Sequence, residues 1–121
     1  MTVLDASAVL AFLQGEPGAD VVEAALTAGA VCGAANWSEA AQKVIAAGGD
    51  WGLAKALLES HEFSVEPVTA DDGESAARRW RREDGLSLGD RLCIALGERL
   101  DRDVLTADTA WGQDGRIRQI R

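Results

Sequence analysis

Four acidic residues are the candidates for chemistry in this chain of 121 residues: Asp5, Glu39, Asp90 and Asp108. None of them has a histidine, lysine or cysteine beside it in the sequence. Carboxylates that cluster repel one another, and one is forced neutral unless cations are bound. Oxygen-only ligands suit Mg²⁺ or Mn²⁺ rather than zinc. If the fold brings these acids together, they predict a site for a divalent metal ion.

Two of the acids follow short apolar segments that are predicted to be strands. The segment 2–4 leads to Asp5, and the segment 103–106 leads to Asp108. The apolar spacing after Ser7 predicts a helix with Ser7 as its N-cap. Strand ends and the following helix starts share one edge of a parallel sheet. We therefore expect Asp5 and Asp108 to meet Glu39 in one crevice, joined by Asp90 if its helix points the same way.

The other two acids stand three residues after a capping residue. Asn36 with Glu39, and Ser87 with Asp90, have the spacing of a capping box at the start of a helix. An alternative interpretation is therefore that Glu39 and Asp90 only cap helices, where the helix dipole favours them. The two acids that follow strands are open to the same alternative.

Short apolar strands alternate with helices along the rest of the chain, which predicts one α/β domain over residues 1–121 with a mostly parallel sheet. Further helices are expected over residues 17–28, 51–59 and 70–82, the last with Trp80 facing inward. Further strands are expected over residues 30–33, 63–68 and 116–120, the last of these at an edge of the sheet.

Charge is unevenly distributed. The net charge is −8, which argues against nonspecific binding to DNA or anionic membranes. Residues 1–77 carry 12 acids and 2 bases, whereas residues 78–121 carry 8 acids and 10 bases, all arginine. No apolar run is long enough to span a membrane, and the N-terminus lacks the features of a signal peptide. With Cys32 and Cys93 in apolar segments, we expect buried thiols and a cytoplasmic protein.

Four motifs together resemble one family. They are Val-Leu-Asp-Ala-Ser-Ala at 3–8, Trp-Ser-Glu-Ala at 37–40, Ser-Leu-Gly-Asp-Arg-Leu-Cys-Ile-Ala-Leu at 87–96 and Leu-Thr-Ala-Asp-Thr-Ala-Trp at 105–111. Each is similar to a motif of PIN-domain proteins. Their order and spacing, together with the chain length, resemble the VapC toxins of bacterial toxin–antitoxin pairs, and the resemblance covers nearly the whole chain.

The resemblance implies a role for each matching residue. It places the acidic quartet of the family on Asp5, Glu39, Asp90 and Asp108. The principal Mg²⁺ or Mn²⁺ ion would be held by Asp5, Asp90 and Asp108. Glu39 would orient a water molecule or share a second ion. The two hydroxyls expected to hydrogen-bond the metal-binding carboxylates are those of Ser7 and Thr106. Many relatives carry an acid or Asn shortly after the last Asp, where this chain has Trp111, so the number of metal ions stays open.

The implied activity is that of a metal-dependent endoribonuclease that leaves a 5′-phosphate and a 3′-hydroxyl. The motifs contain no histidine for acid–base attack by the 2′-hydroxyl, and the only histidine, His61, ends a helix elsewhere. A water molecule whose pKa is lowered by the ion is the nucleophile that is left. The expected partners are an RNA substrate, a VapB-like antitoxin and a second copy of the chain. The alternative is a PIN-like module kept for binding RNA or protein, with a lapsed metal site.

A cluster of arginines is the candidate for contacting RNA outside the acidic site. We hypothesise that it binds phosphates through Arg78, Arg79, Arg82 and Arg91. The alternative is a helix surface that is simply solvated. The four tryptophans are candidates for stacking on bases, Trp111 first, although aromatic residues at such spacing commonly belong to the core.

Overall fold

The computed structural model describes all 121 residues, which form five strands, six α-helices and one short 3₁₀ helix. The strands are β1 (Thr2–Leu4), β2 (Ala30–Gly33), β3 (Phe63–Glu66), β4 (Val104–Thr106) and β5 (Ile117–Gln119). The α-helices are α1 (Ala6–Gln14), α2 (Ala19–Ala28), α3 (Ala34–Ala46), α4 (Trp51–Glu59), α5 (Ala70–Arg78) and α6 (Leu88–Leu100). The 3₁₀ helix spans Thr109–Trp111.

All strand pairs are parallel, in the order β3-β2-β1-β4-β5. Both faces of the sheet are covered, as the apolar character of its central strands predicts. On one side Leu4 packs with residues of α1 and α2, and on the other Val3 packs with Leu96 of α6. The predicted α/β fold with a parallel sheet flanked by helices is confirmed.

The strand order reverses beside β1. The chain passes from β1 through β2 to β3 on one side, and then returns through α5 and α6 to β4 on the other side. Crevices that bind ligands in open parallel sheets lie outside the carboxyl ends of the strands at such a reversal. Asp5 directly follows β1, and one residue separates Asp108 from the end of β4. Both acids therefore lie at the reversal of the strand order.

Two predicted N-cap residues are wrong. The N-cap of α1 is Asp5, whose Oδ1 accepts the N–H of Ala8, whereas Ser7 lies inside the helix. The N-cap of α3 is Gly33, so that Asn36 is not a cap but a buried residue of the first turn. In both cases the strand leads directly into the helix, and the chain bends earlier than the side-chain pattern suggests. The capping box of Ser87 and Asp90 is present as predicted.

Helix α5 ends four residues earlier than predicted, at Arg78. The guanidinium group of Arg81 donates to the carbonyls of Arg78 and Trp80, which satisfies acceptors that a further helical turn would have used. Trp80 consequently leaves the helix and is 51% exposed, so its predicted inward position is also wrong. Among all the helices, none combines the length and the apolar character that crossing a membrane requires.

Candidate functional site

The side chain of Asp5 lies at the centre of the candidate site. It is only 3% exposed, and its two oxygens accept hydrogen bonds from the hydroxyl of Ser7 at 2.7 and 2.8 Å. Thr106 donates to Oδ2 at 2.6 Å, and the N–H of Ala8 donates to Oδ1 at 2.7 Å. The carboxylate is thus held by donors from the first turn of α1 and from β4, so its orientation is fixed before any ligand binds.

Burial raises the pKa of Asp5 from 3.8 to about 6. The hydrogen bonds from Thr106, Ala8 and Ser7 lower the pKa, because they favour the charged form, and the negative charge of Asp90 raises it. The desolvation of this carboxylate therefore outweighs its hydrogen bonds. A buried carboxyl group with such a raised pKa, beside a second acid, is typical of a functional site.

Two hydroxyls connect Asp5 to the main chain of residues 107 and 108. The hydroxyl of Thr106 accepts the N–H of Asp108 at 3.0 Å while it donates to Asp5. The hydroxyl of Ser7 accepts the N–H of Ala107 at 2.9 Å. The carboxylate of Asp108 is exposed, and its Oδ1 accepts the N–H of Ala110 at 2.9 Å. One hydrogen-bond network therefore joins the ends of β1 and β4.

The other two acids lie around the first turn of α6. Asp90 is half-buried, and its Oδ2 accepts the N–H of Ser87 at 3.0 Å. A β-carbon added to Gly89 would lie 3.6 Å from Oε1 of Glu39, so the carboxylate of Glu39 is close to this turn. Glu39 also pairs with Lys43, four residues later on α3, at 3.6 Å.

The electrostatics of a buried thiol show that three of the acids share one neighbourhood. Burial raises the pKa of Cys93 well above 9.0, and the charges of Asp5, Asp90 and Glu39 raise it further. Burial likewise raises the pKa of Cys32, as do the charges of Asp5 and Glu39. Both cysteines are free thiols. The structure therefore brings together Asp5, Glu39 and Asp90. The hydroxyl of Thr106 connects the main chain of Asp108 to Asp5.

The four carboxylates do not form an assembled ligand set. No group of three or more histidine, cysteine, aspartate or glutamate side chains lies close enough to hold one metal ion as the side chains stand. Asp90 and Asp108 each accept a main-chain N–H of their own helix start instead. The donor chemistry fits Mg²⁺ or Mn²⁺, because every candidate ligand atom is a carboxylate oxygen at the same sheet edge. These hydrogen bonds each use one carboxylate oxygen, which leaves Oδ1 of Asp90 and Oδ2 of Asp108 available to a cation.

Position 111 supplies no further ligand and no stacking surface. Trp111 is 6% exposed and packs against residues of β1, β4 and α6. A different residue does contact the site without any signal in the sequence: Gln119 donates to the main-chain carbonyl of Asp108 at 2.9 Å. Asn36 also reaches the site, with Nδ2 donating to the carbonyl of Gly89 at 3.2 Å.

The four arginines of the predicted cluster do not act together: two connect helices, and two lie on the surface. Arg91 donates to the carbonyl of Ala76 at 2.7 Å, and Arg79 pairs with Glu98, so both are used to attach α5 and its end to α6. The other two are more exposed. Arg78 lies 3.9 Å from Glu74 on the surface of α5, and the guanidinium of Arg82 lies 5.6 Å from the ring centre of Trp80.

Comparisons with known proteins agree with this architecture. The family model described as PIN domain matches residues 2–113. A toxin–antitoxin complex from Klebsiella pneumoniae is similar over 100% of this chain and 98% of that chain, with a TM-score of 0.79 and 15% identity. Mycobacterium tuberculosis VapC20, a toxin that cleaves the sarcin-ricin loop, is similar over 93% of this chain and 95% of that chain, with a TM-score of 0.73 and 21% identity. No curated protein matches the chain in sequence.

Proposed function

The chain belongs to the PIN domain family, and we propose that it is a metal-dependent endoribonuclease that acts as the toxin of a toxin–antitoxin pair. The observation that carries this proposal is the position of Asp5. Its buried carboxyl group lies where the strand order reverses, with Glu39 and Asp90 in the same neighbourhood and no histidine or lysine in the hydrogen-bond network around it. This donor set suits a hard divalent cation and a phosphodiester substrate.

Mg²⁺ or Mn²⁺ would be held by Asp5, Asp90 and Asp108, with Glu39 orienting the attacking water or sharing a second ion. When bound, the ion would lower the pKa of a water molecule and stabilise negative charge on the phosphate. The chain itself would supply orientation. Thr106 and Ser7 hold the carboxylate of Asp5 in one direction, so that little reorganisation is needed when a cation binds.

RNA would approach along the segment that leads into α6. Arg82 forms no ion pair, and Trp80 beside it offers an exposed aromatic ring. An unpaired base stacked on this indole would bring its phosphate within reach of the guanidinium group. Arg78 adds a second exposed charge, whereas Arg79 and Arg91 would act mainly by fixing the segment.

The proposed protein partner is a VapB-like antitoxin that covers the acidic site, and the proposed assembly is a homodimer. Support for the antitoxin partner comes from the structural neighbour that is described as a toxin–antitoxin complex. Exposed apolar side chains offer surface for such contacts, among them Ile45, Leu53 and Leu57. A symmetric dimer would bury the same patch on both subunits.

The test is cleavage of labelled total RNA by the purified protein with Mg²⁺, with Mn²⁺ and with chelator. We expect discrete products that depend on the metal, and a loss of more than about 100-fold in Asp5→Asn, above the range for residues around a metal site. Asp71→Asn, which removes an exposed carboxylate at the start of α5, is the matched control and should cleave normally.

A second candidate function is a binding module without catalysis. It is favoured by the carboxylates of Asp90 and Asp108, which accept main-chain N–H groups at their own helix starts and do not converge with the other acids into a group of three. RNA binding without cleavage by any metal-loaded form would support this module and contradict the nuclease. Equal cleavage by the wild type and by Asp5→Asn would instead assign the activity to a contaminant.

A further inference from the structure

Two side-chain amides outside the acidic quartet contact the main chain that carries it. They are Asn36 of α3 and Gln119 of β5. In each, the amide nitrogen donates to a carbonyl at the acidic site, whereas the amide oxygen is buried and has no hydrogen-bond partner. Such an unpaired buried acceptor is unfavourable, since it has lost its hydrogen bonds with water. What the two amides share is that each donates to the main chain beside an acid of the quartet.

Asn36 connects the two helices that supply Glu39 and Asp90. It is 1% exposed, and its Nδ2 donates to the carbonyl of Gly89 across 53 residues of sequence at 3.2 Å. The assignment of nitrogen and oxygen follows from the chemistry, because a carbonyl only accepts hydrogen bonds. Glu39 lies one helical turn after Asn36, and Asp90 directly follows Gly89. The amide therefore sets the distance between the first turns of α3 and α6.

Gln119 has the same role on the opposite side of the site. Its Nε2 donates to the carbonyl of Asp108 at 2.9 Å and to the carbonyl of Gly112 at 2.8 Å. Both amide hydrogens are thereby used on the two ends of the 3₁₀ helix that follows β4. Gln119 lies outside residues 2–113, the part of the chain that matches the family model.

We propose that Asn36 and Gln119 are positioning residues, each holding the main chain that carries a metal-binding carboxylate, Asp90 for Asn36 and Asp108 for Gln119. This inference rests on the proposed function. Asp5 has its own network of hydroxyls and needs no such support. Asp90 and Asp108 lie at helix starts, outside that network of Asp5 side-chain donors. The amides fix these two helix starts against α3 and β5.

The competing explanation is that both amides only stabilise the fold. The two explanations differ for Asn36→Leu, which keeps the approximate size of the side chain and removes both the donor and the unpaired acceptor. Losing the donor to Gly89 is unfavourable, whereas losing the buried unpaired oxygen is favourable, so the two effects oppose each other and we expect little change in melting temperature. Metal binding and catalysis should nevertheless weaken.

The experiment measures Mn²⁺ binding by electron paramagnetic resonance, the Mg²⁺ concentration for half-maximal RNA cleavage, kcat and the melting temperature. The variants are Asn36→Leu and Gln119→Met, and Gln42→Met on the exposed surface of α3 is the matched control. For both site variants we expect weaker Mn²⁺ binding and a higher Mg²⁺ midpoint by about tenfold, the lower end of the range for residues around a metal site.

The outcomes separate the two proposals. If the wild type cleaves RNA and the site variants bind Mn²⁺ as tightly as Gln42→Met does, the positioning role is wrong and the proposed function stands. If the variants lose stability in proportion to their loss of metal binding, the amides are merely structural. If the wild type neither binds Mn²⁺ nor cleaves RNA, the proposed function falls, and the positioning role falls with it.

Discussion

The acidic site and the arginine segment, which we define as residues 78–82, are built in opposite ways. The acids come from four elements far apart in sequence, yet the structure brings three of them into one neighbourhood and attaches the fourth by hydrogen bonds. The arginines are adjacent in sequence, yet they separate. Arg79 pairs with α6, Arg81 caps the end of α5, and Arg82 lies beside an exposed indole.

The difference shows that closeness in sequence is a poor guide to closeness in space, whereas position at a strand end is a good one. Parallel strands align their carboxyl ends, so residues at strand ends converge regardless of their separation along the chain. Neighbouring side chains at the end of a helix point in different directions, so a charge run divides among unrelated contacts. Convergence on a rigid edge is the stronger indication of a shared chemical role.

Removing the hydroxyl that joins β1 to β4 should have the largest effect of these changes. Thr106→Val keeps the shape of a fully buried side chain but removes the hydrogen bond to Asp5 and the acceptor for the N–H of Asp108. We expect RNA cleavage to fall by about 10- to 100-fold. Thr27→Val, which removes an exposed hydroxyl on α2, is the control. Cleavage at the wild-type rate by Thr106→Val would show that the network does not orient the carboxylate.

The stability of the metal-free protein should depend on the ionisation of Asp5. Because its pKa is about 6 in the folded state and 3.8 ordinarily, the folded state binds the proton more tightly. The stabilisation is therefore complete below pH 3.8 and is lost as the pH rises through about 6. The free energy of unfolding should fall by about 3 kcal/mol across this window.

Denaturant unfolding between pH 3.5 and 7 with chelator measures this loss as the difference between the wild type and Asp5→Asn, in which other titrating groups cancel. Above the pKa of about 6, Mg²⁺ should restore stability to the wild type only. Parallel pH profiles of the two proteins would contradict a raised pKa at Asp5.

The smallest effects should distinguish two neighbouring arginines, measured in the Asp5→Asn background so that RNA stays intact. Arg82→Ala should weaken RNA binding and reduce the slope of its salt dependence by about 1, with no change in stability. Arg79→Ala should lower the free energy of unfolding by about 1 kcal/mol or less, because its ion pair with Glu98 is partly exposed, and leave the slope unchanged. Equal slopes for both variants would remove the distinction within the segment.

Most of the fold follows from local patterns in the sequence. Helix α4 and strand β2 have the predicted bounds, and the capping box at α6 forms as its spacing indicates, because these features depend on neighbouring residues alone. The errors occur where a distant contact outweighs a local preference. Asn36 has the sequence signature of a cap, but Gly89 of another helix accepts its amide hydrogen bond. Trp80 has the spacing of a core residue, but the helix ends before it.

The sequence by itself determined which residues could take part in chemistry. Strand ends that carry acids, with a hydroxyl two residues from Asp5 and another two residues before Asp108, are visible as a pattern because the periods of strands and helices are local properties. Only the tertiary structure decided how these residues interact. Burial set the pKa of Asp5, and long-range packing placed Asn36 and Gln119 against the acidic site. Desolvation and contacts across the sheet depend on what covers a residue, which no local pattern encodes.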